Sequence, residues 1–320
     1  MPSPAVSVVM PLYQGSQFLE ASLRSVFAQS FRDFDVTVVD DGSVDGSGAI
    51  AERVAATCRG EIPFRLVRNQ TRQGLVGNWN RCLEQATGRF VLLFHQDDLL
   101  DDGMLQRAVA SFDQHPDLGF VYSAFWCMDD HDRPLAPWSQ SPFAGRIDGL
   151  QLIEALLREN FICCPSVVVP RAVYDRVGRY DTRFAFSPDM EMWLRIASRY
   201  DVLCRPEIGV RYRLHPAQET ANFRTSRKVR GELEYLSAAV VALHAQRERY
   251  PALWQSLVRD SLWMVRQYFF DDPAESLWAL RILAGHPSDL ARAVRRALLE
   301  KSGLRRTPPD AQPSRTTLPS

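Results

Sequence analysis

The stretch Phe90-Val91-Leu92-Leu93-Phe94-His95-Gln96-Asp97-Asp98 decides the fold of this chain. Five apolar residues in succession are typical of a strand that is buried on both faces, like the central strands of parallel sheets. The run ends in two adjacent carboxylates, and the carboxyl ends of strands are where open α/β sheets bind their ligands. A solvated acidic turn at the start of the next helix is the alternative interpretation, because acids stabilise helix N-termini.

The segments around this stretch alternate between strands and helices. Strands are expected over residues 5–12, 34–39, 64–67 and 118–122, with apolar residues at helical spacing between them. This alternation predicts βαβ units and therefore an α/β fold with a mainly parallel sheet. Polar clusters follow three of the strands: Pro11-Leu12-Tyr13, Asp40-Asp41-Gly42-Ser43 and Asp97-Asp98. We expect them at one edge of the sheet, where they would form a nucleotide-binding crevice.

The chain lacks the two common glycine-rich phosphate loops. No GxGxxG follows the first strand, and no GxxxxGK[ST] occurs anywhere in the sequence. If phosphates bind, another group must hold them, and a metal held by carboxylates is the expected substitute.

The composition restricts the class of protein. The 320 residues are 46% hydrophobic and 24% charged with a net charge of zero, so no nucleic-acid partner is expected. The six cysteines lie mostly in apolar runs without metal-binding spacing, which predicts reduced thiols in a cytoplasmic protein. No apolar stretch approaches the ~18 residues that span a bilayer, so any membrane contact is expected to be peripheral, at the inner face.

Three segments of the chain, VSVVMPLYQG, VVDDGSVDGS and GNWNRCLEQATGRFVLLFHQDD, resemble the nucleotide-sugar half of family 2 glycosyltransferases of the GT-A fold. The resemblance continues through VGRYDTRFAFSPDMEMWLRIASRYDV and RYRLHP, and so covers residues 5–216. It implies a Rossmann-like fold and an inverting enzyme that moves a sugar from a nucleoside-diphosphate sugar to an acceptor hydroxyl. The acceptor would be a glycan or a lipid-linked molecule in the synthesis of cell-surface polysaccharide, lipopolysaccharide or a related glycan.

The resemblance also implies a set of donor-binding residues: Pro11, Leu12, Tyr13, Asp41, Asn80, Asp97 and Arg213. Tyr13 would flank the nucleotide base, and Asp41 would accept a hydrogen bond from it. Asp97 would contact the ribose or the diphosphate, and Arg213 a phosphate. Each has a structural alternative: Tyr13 as a packed turn residue, Asp41 as part of an Asp-Gly turn, and Asn80 as a partner of backbone groups.

The same resemblance implies that Asp98 and His215 ligate a divalent cation, Mn²⁺ or Mg²⁺. Such a cation would neutralise charge that grows as the nucleoside diphosphate leaves. A lone histidine is more often structural than a ligand, which is the alternative for His215. His95 stands where many family members carry an acid, and we interpret it as packing under the site, with ligation as the alternative.

Asp189 begins a helix predicted over residues 188–199, and it is the candidate catalytic base. The acceptor hydroxyl must lose its proton as it attacks, and a carboxylate opposite the leaving diphosphate would receive it. Family members usually have Glu-Asp here, whereas this chain has Pro188-Asp189. The alternative is a helix N-terminal acid that interacts with the dipole, worth up to ~1 kcal/mol. Glu191 is the weaker candidate for the base.

The domain organisation is predicted to change after Pro216. Residues 1–216 would form the GT-A domain, with a nucleotide-sugar-binding half over 5–125 and an acceptor half over 126–216, of which 126–149 is an irregular or hairpin excursion. Residues 217–304 would be a helical C-terminal region, with helices over 229–249, 252–270, 274–283 and 290–299. Residues 305–320, rich in Pro, Ser and Thr, would form a disordered tail.

Two other interpretations of the whole chain remain open at this stage. A sugar-nucleotide nucleotidyltransferase would also use a metal and a sugar nucleotide, but no glycine-rich, basic triphosphate loop follows the first strand. A non-catalytic nucleotide-sugar-binding protein would keep the carboxylates without the chemistry. The basic stretch 292–306 is a candidate for contact with an anionic membrane, with a solvated helix as the alternative.

Overall fold

The structure is a computed structural model that describes residues 3–135, 141–218, 228–269 and 272–284. Over these ranges it has the predicted α/β architecture, a mixed, mostly parallel sheet flanked by helices. The strands are β1 (Val6–Leu12), β2 (Phe34–Asp40), β3 (Phe64–Arg68), β4 (Phe90–Leu93), β5 (Leu99–Leu100), β6 (Val121–Met128), β7 (Gly145–Ile147), β8 (Val167–Pro170) and β9 (Val202–Arg213). The helices are α1 (Leu19–Phe27), α2 (Ser47–Cys58), α3 (Gly74–Gln85), α4 (Met104–Gln114), α5 (Gly149–Leu156), α6 (Arg171–Val177), α7 (Pro188–Ala197), α8 (Lys228–Leu243), α9 (Pro251–Tyr268) and α10 (Pro273–Ala284).

The sheet has the strand order β3-β2-β1-β4-β8-β6-β9-β5, with β7 paired to β9. Strands β3, β2, β1 and β4 are parallel, and β8 is antiparallel to both of its neighbours. The prediction of a buried central strand is confirmed, because every residue of β4 is buried between β1 and β8. Helices cover both faces of β4, which is why its sequence is apolar without alternation.

The parallel strands bring the predicted polar clusters together. Because β2, β1 and β4 are neighbours and run in the same direction, the segments that follow them leave the sheet at one edge. The backbone continues this pairing past the strands, since Asp41 donates its N–H to the Leu12 carbonyl at 2.8 Å. The site described below is built at this edge.

The second half of the sheet differs from the prediction. Strand β6 runs on to Met128, although residues from 126 onwards were expected to be irregular, and β9 begins at Val202 rather than at 210. The two strands pair in parallel with a register shift between Ser123 and Phe125. Their hydrogen bonds stabilise polar and proline-containing residues as strand, which local preference would not have selected.

The C-terminal helices belong to the main body of the fold. Helix α8 packs on α7, and α9 and α10 pack on α8. One apolar cluster contains Leu233, Val240 and Trp254 from these helices together with Val9 and Val91 from the sheet. The predicted helix over 290–299, the basic stretch 292–306 and the tail 305–320 lie outside the described residues. No helix in the described ranges is long and apolar enough to cross a membrane.

The cysteines carry no cross-link. All six lie in the described part of the chain and are free, and all except Cys58 are buried.

Candidate active site

A cleft of about 1220 Å³ opens at the carboxyl edge of the sheet. It exceeds the 300–1,000 Å³ or so of a typical small-ligand site, which leaves space for more than one substrate. Its wall comes from the ends of β1 and β4, the start of α3, residues 159–165 and 185–189, the segment after β9, and α8. Asp41, Asp97 and Asp189, three of the predicted site residues, all line this one cleft.

Gln96 fixes the end of β1 against the end of β4. Its Oε1 accepts a hydrogen bond from the Tyr13 N–H at 2.9 Å, and its Nε2 donates to the Tyr13 carbonyl at 3.1 Å. A Cβ on Gly15 would lie 2.5 Å from this Gln96 Oε1, so any larger residue here would displace the Gln96 amide. The Tyr13 ring stands at the cleft with the Arg72 guanidinium carbon 4.0 Å from its centroid. The Tyr13 backbone is thus fixed by hydrogen bonds, while its ring is exposed to the cleft.

Asp41 organises the start of α3. Its Oδ1 accepts hydrogen bonds from the Gln73 N–H at 2.7 Å and the Asn69 amide at 2.8 Å, and its Oδ2 from the Gly74 N–H at 2.8 Å. Gly74 has a φ of +74°, a conformation that favours glycine. Two carboxylate oxygens offer about four acceptor positions, so Asp41 keeps capacity toward the cleft that it lines.

The two adjacent carboxylates after β4 occupy different environments. Asp97 lines the cleft, and its Oδ2 lies 3.0 Å from Nε2 of His215. Asp98 is fully buried behind it, with Oδ1 accepting the Arg213 N–H at 2.8 Å and Oδ2 lying 3.7 Å from Nδ1 of His95. The predicted metal ligand His215 therefore contacts Asp97, whereas Asp98 forms the floor.

These environments separate the pKa values of the two acids. Burial and the negative charge of Asp97 hold the pKa of Asp98 well above its ordinary value. Burial also acts to raise the pKa of Asp97, but the hydrogen bond with His215 and the charge of His95 outweigh it and leave that pKa lowered. Burial lowers the pKa of His95. The ionised carboxylate is thus the one that faces the cleft.

The residues present fit a divalent cation. Two buried atoms, Nε2 of His95 and Oδ2 of Asp98, have no hydrogen-bond partner among the described residues. His95, Asp97 and Asp98 offer ligand atoms that all lie within 4.8 Å of one another. A set of carboxylate oxygens with an imidazole nitrogen suits Mn²⁺ or Mg²⁺.

Two predicted donor-binding residues are engaged outside the cleft wall. The buried Arg213 donates from Nε to the Asp97 carbonyl at 2.7 Å and from Nη1 to the Asp129 carbonyl at 3.1 Å. The Asn80 amide donates to the Tyr180 carbonyl and accepts from the Tyr180 N–H, both at 2.8 Å. In this geometry both side chains bind backbone groups and stabilise the loops around the cleft. For Asn80 this is the structural alternative raised above.

Asp189 lies in the first turn of α7, at the far wall of the cleft. Its Oδ1 accepts the Met190 N–H at 2.8 Å, and the Asn160 amide also hydrogen-bonds to it. Burial raises the pKa of Asp189 from 3.8 to about 6, which makes it a stronger base than an exposed carboxylate. Glu191, the weaker candidate, is buried and paired with Arg195 at 2.5 Å, and it does not line the cleft.

Several residues of the cleft were not predicted. Aromatic residues line the cleft in addition to those predicted, among them Phe125, Phe161, Phe186, Tyr212 and Tyr235. Tyr235 comes from α8, beyond the end of the family resemblance, where no motif could have indicated it. One indication that Gln96 belongs to the site was present in the sequence: it stands between His95 and Asp97, just after β4.

The sequence has relatives of known family. Residues 7–177 match the family model described as Glycosyl transferase family 2. The uncharacterized protein MT1568 of Mycobacterium tuberculosis is 30% identical over 255 residues, 74% of this chain and 76% of that protein. A PGL/p-HBAD biosynthesis glycosyltransferase of Mycobacterium bovis is 25% identical over 206 residues, 64% of this chain and 74% of that protein.

Two solved structures share the fold. S. aureus TarS in complex with UDP superposes with a TM-score of 0.59 at 19% identity, over 82% of this chain and 71% of that one. The mannosyltransferase PcManGT from Pyrobaculum calidifontis, in complex with GDP-Man and Mn²⁺, superposes with a TM-score of 0.55 at 19% identity, over 94% of this chain and 89% of that one. Since the family model covers more than half of the sequence and the fold agrees, the chain belongs to glycosyl transferase family 2 and is a glycosyltransferase of the GT-A fold.

Proposed function

We propose that this glycosyltransferase is inverting and metal-dependent, and that it moves a sugar from a nucleoside-diphosphate sugar to a hydroxyl of a glycan or lipid-linked acceptor. The observation that carries the proposal is that Asp41, Asp97 and Asp189 line a single cleft large enough for both substrates. The synthesis of a cell-surface polysaccharide, lipopolysaccharide or related glycan is the proposed context. The similarity to a glycosyltransferase of PGL/p-HBAD biosynthesis supports it.

The donor would bind along the ends of β1, β2 and β4. The exposed Tyr13 ring, which lines the cleft, would stack on the base, and Asp41 would use its remaining acceptor position for a base N–H. Pro11 and Leu12 complete this wall. The complexes of TarS with UDP and of PcManGT with GDP-Man support a sugar nucleotide in a cleft of this fold.

The diphosphate would lie beside Asp97. We expect Asp97 and the buried Asp98 to hold a divalent cation, because their ligand atoms and one of His95 all lie within 4.8 Å of one another. His215 would be a further ligand, since its Nε2 lies 3.0 Å from Oδ2 of Asp97. Such a cation would neutralise the charge of the departing diphosphate. Mn²⁺ in the PcManGT complex supports a cation of this class.

Asp189 would act as the general base on the acceptor. The acceptor oxygen forms a bond to the anomeric carbon while the bond from that carbon to the diphosphate breaks. The proton of the acceptor hydroxyl passes to the Asp189 carboxylate, and the bonding electron pair leaves with the nucleoside diphosphate. Attack opposite the leaving group inverts the anomeric configuration. The half-buried position of Asp189 in the cleft wall and its raised pKa support this role.

A donor panel tests the proposal directly. Purified protein is incubated with UDP-, GDP- and dTDP-sugars, an acceptor preparation and Mn²⁺, and NMR reads the anomeric configuration of the product. We expect nucleoside diphosphate, a product of inverted configuration, and loss of turnover when EDTA is added. Release of pyrophosphate would indicate nucleotidyl transfer, and binding without product would indicate a non-catalytic protein. Retention of configuration would refute the role of Asp189.

A further inference from the structure

Glu234 is a carboxylate of α8 that is fully buried next to the proposed base. Its Oε1 accepts hydrogen bonds from the Phe186 N–H at 2.5 Å and from the Ser187 N–H at 3.0 Å. These two residues immediately precede α7, and Asp189 is in the first turn of that helix. A buried carboxylate needs hydrogen-bond donors to compensate its charge. Two of the donors of Glu234 are the backbone N–H groups of Phe186 and Ser187.

The N-cap side chain of helix α7 makes no capping bond. Ser187 is the N-cap residue, yet its side chain makes no capping bond and its hydroxyl has no partner among the described residues. In many helices a glutamate two residues beyond the first helical position bonds back to the N-cap N–H. Here that position is Met190, which cannot. Glu234 supplies the missing acceptor from another helix.

Two C-terminal helices hold Glu234 in place. Arg230 of α8 lies 3.2 Å from Glu234 through Nε and 2.6 Å from Glu275 of α10 through Nη1. The same guanidinium lies 3.5 Å from the ring centroid of Trp278 on α10. A chain of charged contacts therefore runs from α10 through α8 to the start of α7.

We propose that Glu234 is a positioning residue for Asp189, and that it makes the C-terminal helices part of the catalytic unit by fixing the backbone before α7. The inference rests on the proposed role of Asp189 as base. Phe186, whose N–H Glu234 holds, also lines the cleft, so one contact fixes both the base and part of the acceptor wall.

Glu234 also acts on Asp189 through its charge. Burial is the main cause of the raised pKa of Asp189, and the negative charge of Glu234 raises it further. Four titratable groups that interact with Asp189 are uncharged at neutral pH because burial raises their pKa values: Cys163, Cys164, Tyr180 and Tyr235. Removal of the Glu234 charge should therefore lower the pKa of Asp189 and weaken it as a base.

Three variants of the full chain test the proposal, each measured for the pH dependence of kcat, donor KM and thermal unfolding. Glu234→Gln keeps an acceptor oxygen and removes the charge, whereas Glu234→Ala removes both. Glu232→Gln is the matched control, since Glu232 lies on the same helix but accepts its hydrogen bond from the Tyr268 hydroxyl.

For Glu234→Ala we expect kcat to fall by about 10²-fold with donor KM unchanged, the size of loss that a misplaced catalytic group produces. For Glu234→Gln we expect a smaller loss of kcat. The acid limb of its profile of kcat against pH should lie at lower pH than in the unmodified enzyme. Glu232→Gln should leave kcat and the acid limb unchanged. Should Glu234→Ala fail to fold, the pH profile of Glu234→Gln decides.

The inference is overturned if Glu234→Gln keeps the kcat and the acid limb of the unmodified enzyme. That outcome is distinct from failure of the proposed function, in which Asp189→Asn would still transfer sugar. An inactive Asp189→Asn beside a fully active Glu234→Gln would keep Asp189 as the base and remove Glu234 from the catalytic unit.

Discussion

Replacing Asp189 with asparagine should slow transfer severely and stabilise the fold at the same time. Asparagine has nearly the same size, and its Oδ1 can still accept the Met190 N–H that lies 2.8 Å from Asp189. It cannot take a proton from an acceptor hydroxyl. Transfer should therefore fall by about 10²–10⁴-fold, the usual contribution of a positioned general base.

The gain in stability follows from the ionisation of a half-buried carboxyl. Burial raises the pKa of Asp189 from 3.8 to about 6 in the folded protein, so the folded state binds a proton that the unfolded chain releases. Stability then decreases as the pH rises from about 4 to about 6, and stays lower above that. The free-energy cost at neutral pH is up to about 3 kcal/mol, at about 1.36 kcal/mol per pKa unit. Asparagine carries no such cost.

Thermal denaturation of both proteins across this pH range checks the magnitude. At neutral pH, Asp189→Asn should raise Tm by up to about 6 °C, at about 2 °C per kcal/mol for a chain of this size, and the gain should vanish near pH 4. Asp181→Asn is the control and should change Tm in the opposite direction at neutral pH. Burial acts to raise the pKa of Asp181, but the hydrogen bonds with Arg183 outweigh burial and leave that pKa lowered. A neutral-pH Tm equal to that of the unmodified protein, or transfer by Asp189→Asn within about tenfold of the unmodified rate, would refute the reasoning.

Three further predictions concern the donor side of the cleft. Asp97→Asn should remove the ionised group that faces the cleft and weaken Mn²⁺ binding by at least about tenfold, as measured by calorimetry; unchanged Mn²⁺ affinity would count against the proposed site. Tyr13→Ala should weaken nucleoside-diphosphate binding by about 1–2 kcal/mol with kcat at saturating donor unchanged, since it removes a stacking surface for the base. Gly15→Ala should displace the Gln96 amide, which its Cβ would approach to 2.5 Å, and so raise the donor KM while changing Tm little; an unaltered KM would mean that the Gln96 contact with Tyr13 has no role in donor binding.

The arrangement of the ends of β1, β2 and β4 at one edge of the sheet could be predicted from the sequence because the signals there are local. Unbroken apolar runs identify β1, β2 and β4 as buried strands, and parallel order then brings their carboxyl ends to one edge. The cluster of Asp41 and Asp97 in one cleft follows from that order alone. No side-chain contact has to be known to predict it.

Other features depend on contacts that no local pattern records. Which of the adjacent Asp97 and Asp98 faces the cleft is decided by the Arg213 N–H, which binds Asp98 from a strand 115 residues away. The length of β9 depends on its pairing with β6. In the sequence Glu234 has no feature that distinguishes it from other helical glutamates. Its position is recognised only from the hydrogen bond that it accepts from the Ser187 N–H. Each case requires the tertiary structure.

The two sides of the cleft are stabilised by different parts of the chain, which bears on how such an enzyme can change its substrates. On the proposed donor side, the loop after β1 contacts the start of α2, where Ser47 Oγ accepts the Gly15 N–H at 2.9 Å. On the acceptor side, α8 supplies both the Tyr235 wall and the Glu234 contact, and α8 lies beyond the part of the chain that matches the family model. Because the hydrogen bonds named here share no residue, we expect substitutions at Glu234 or Tyr235 to change the proposed acceptor side while the proposed donor side keeps its geometry. Specificity for the acceptor is therefore expected to be carried by the region in which the family pattern is absent.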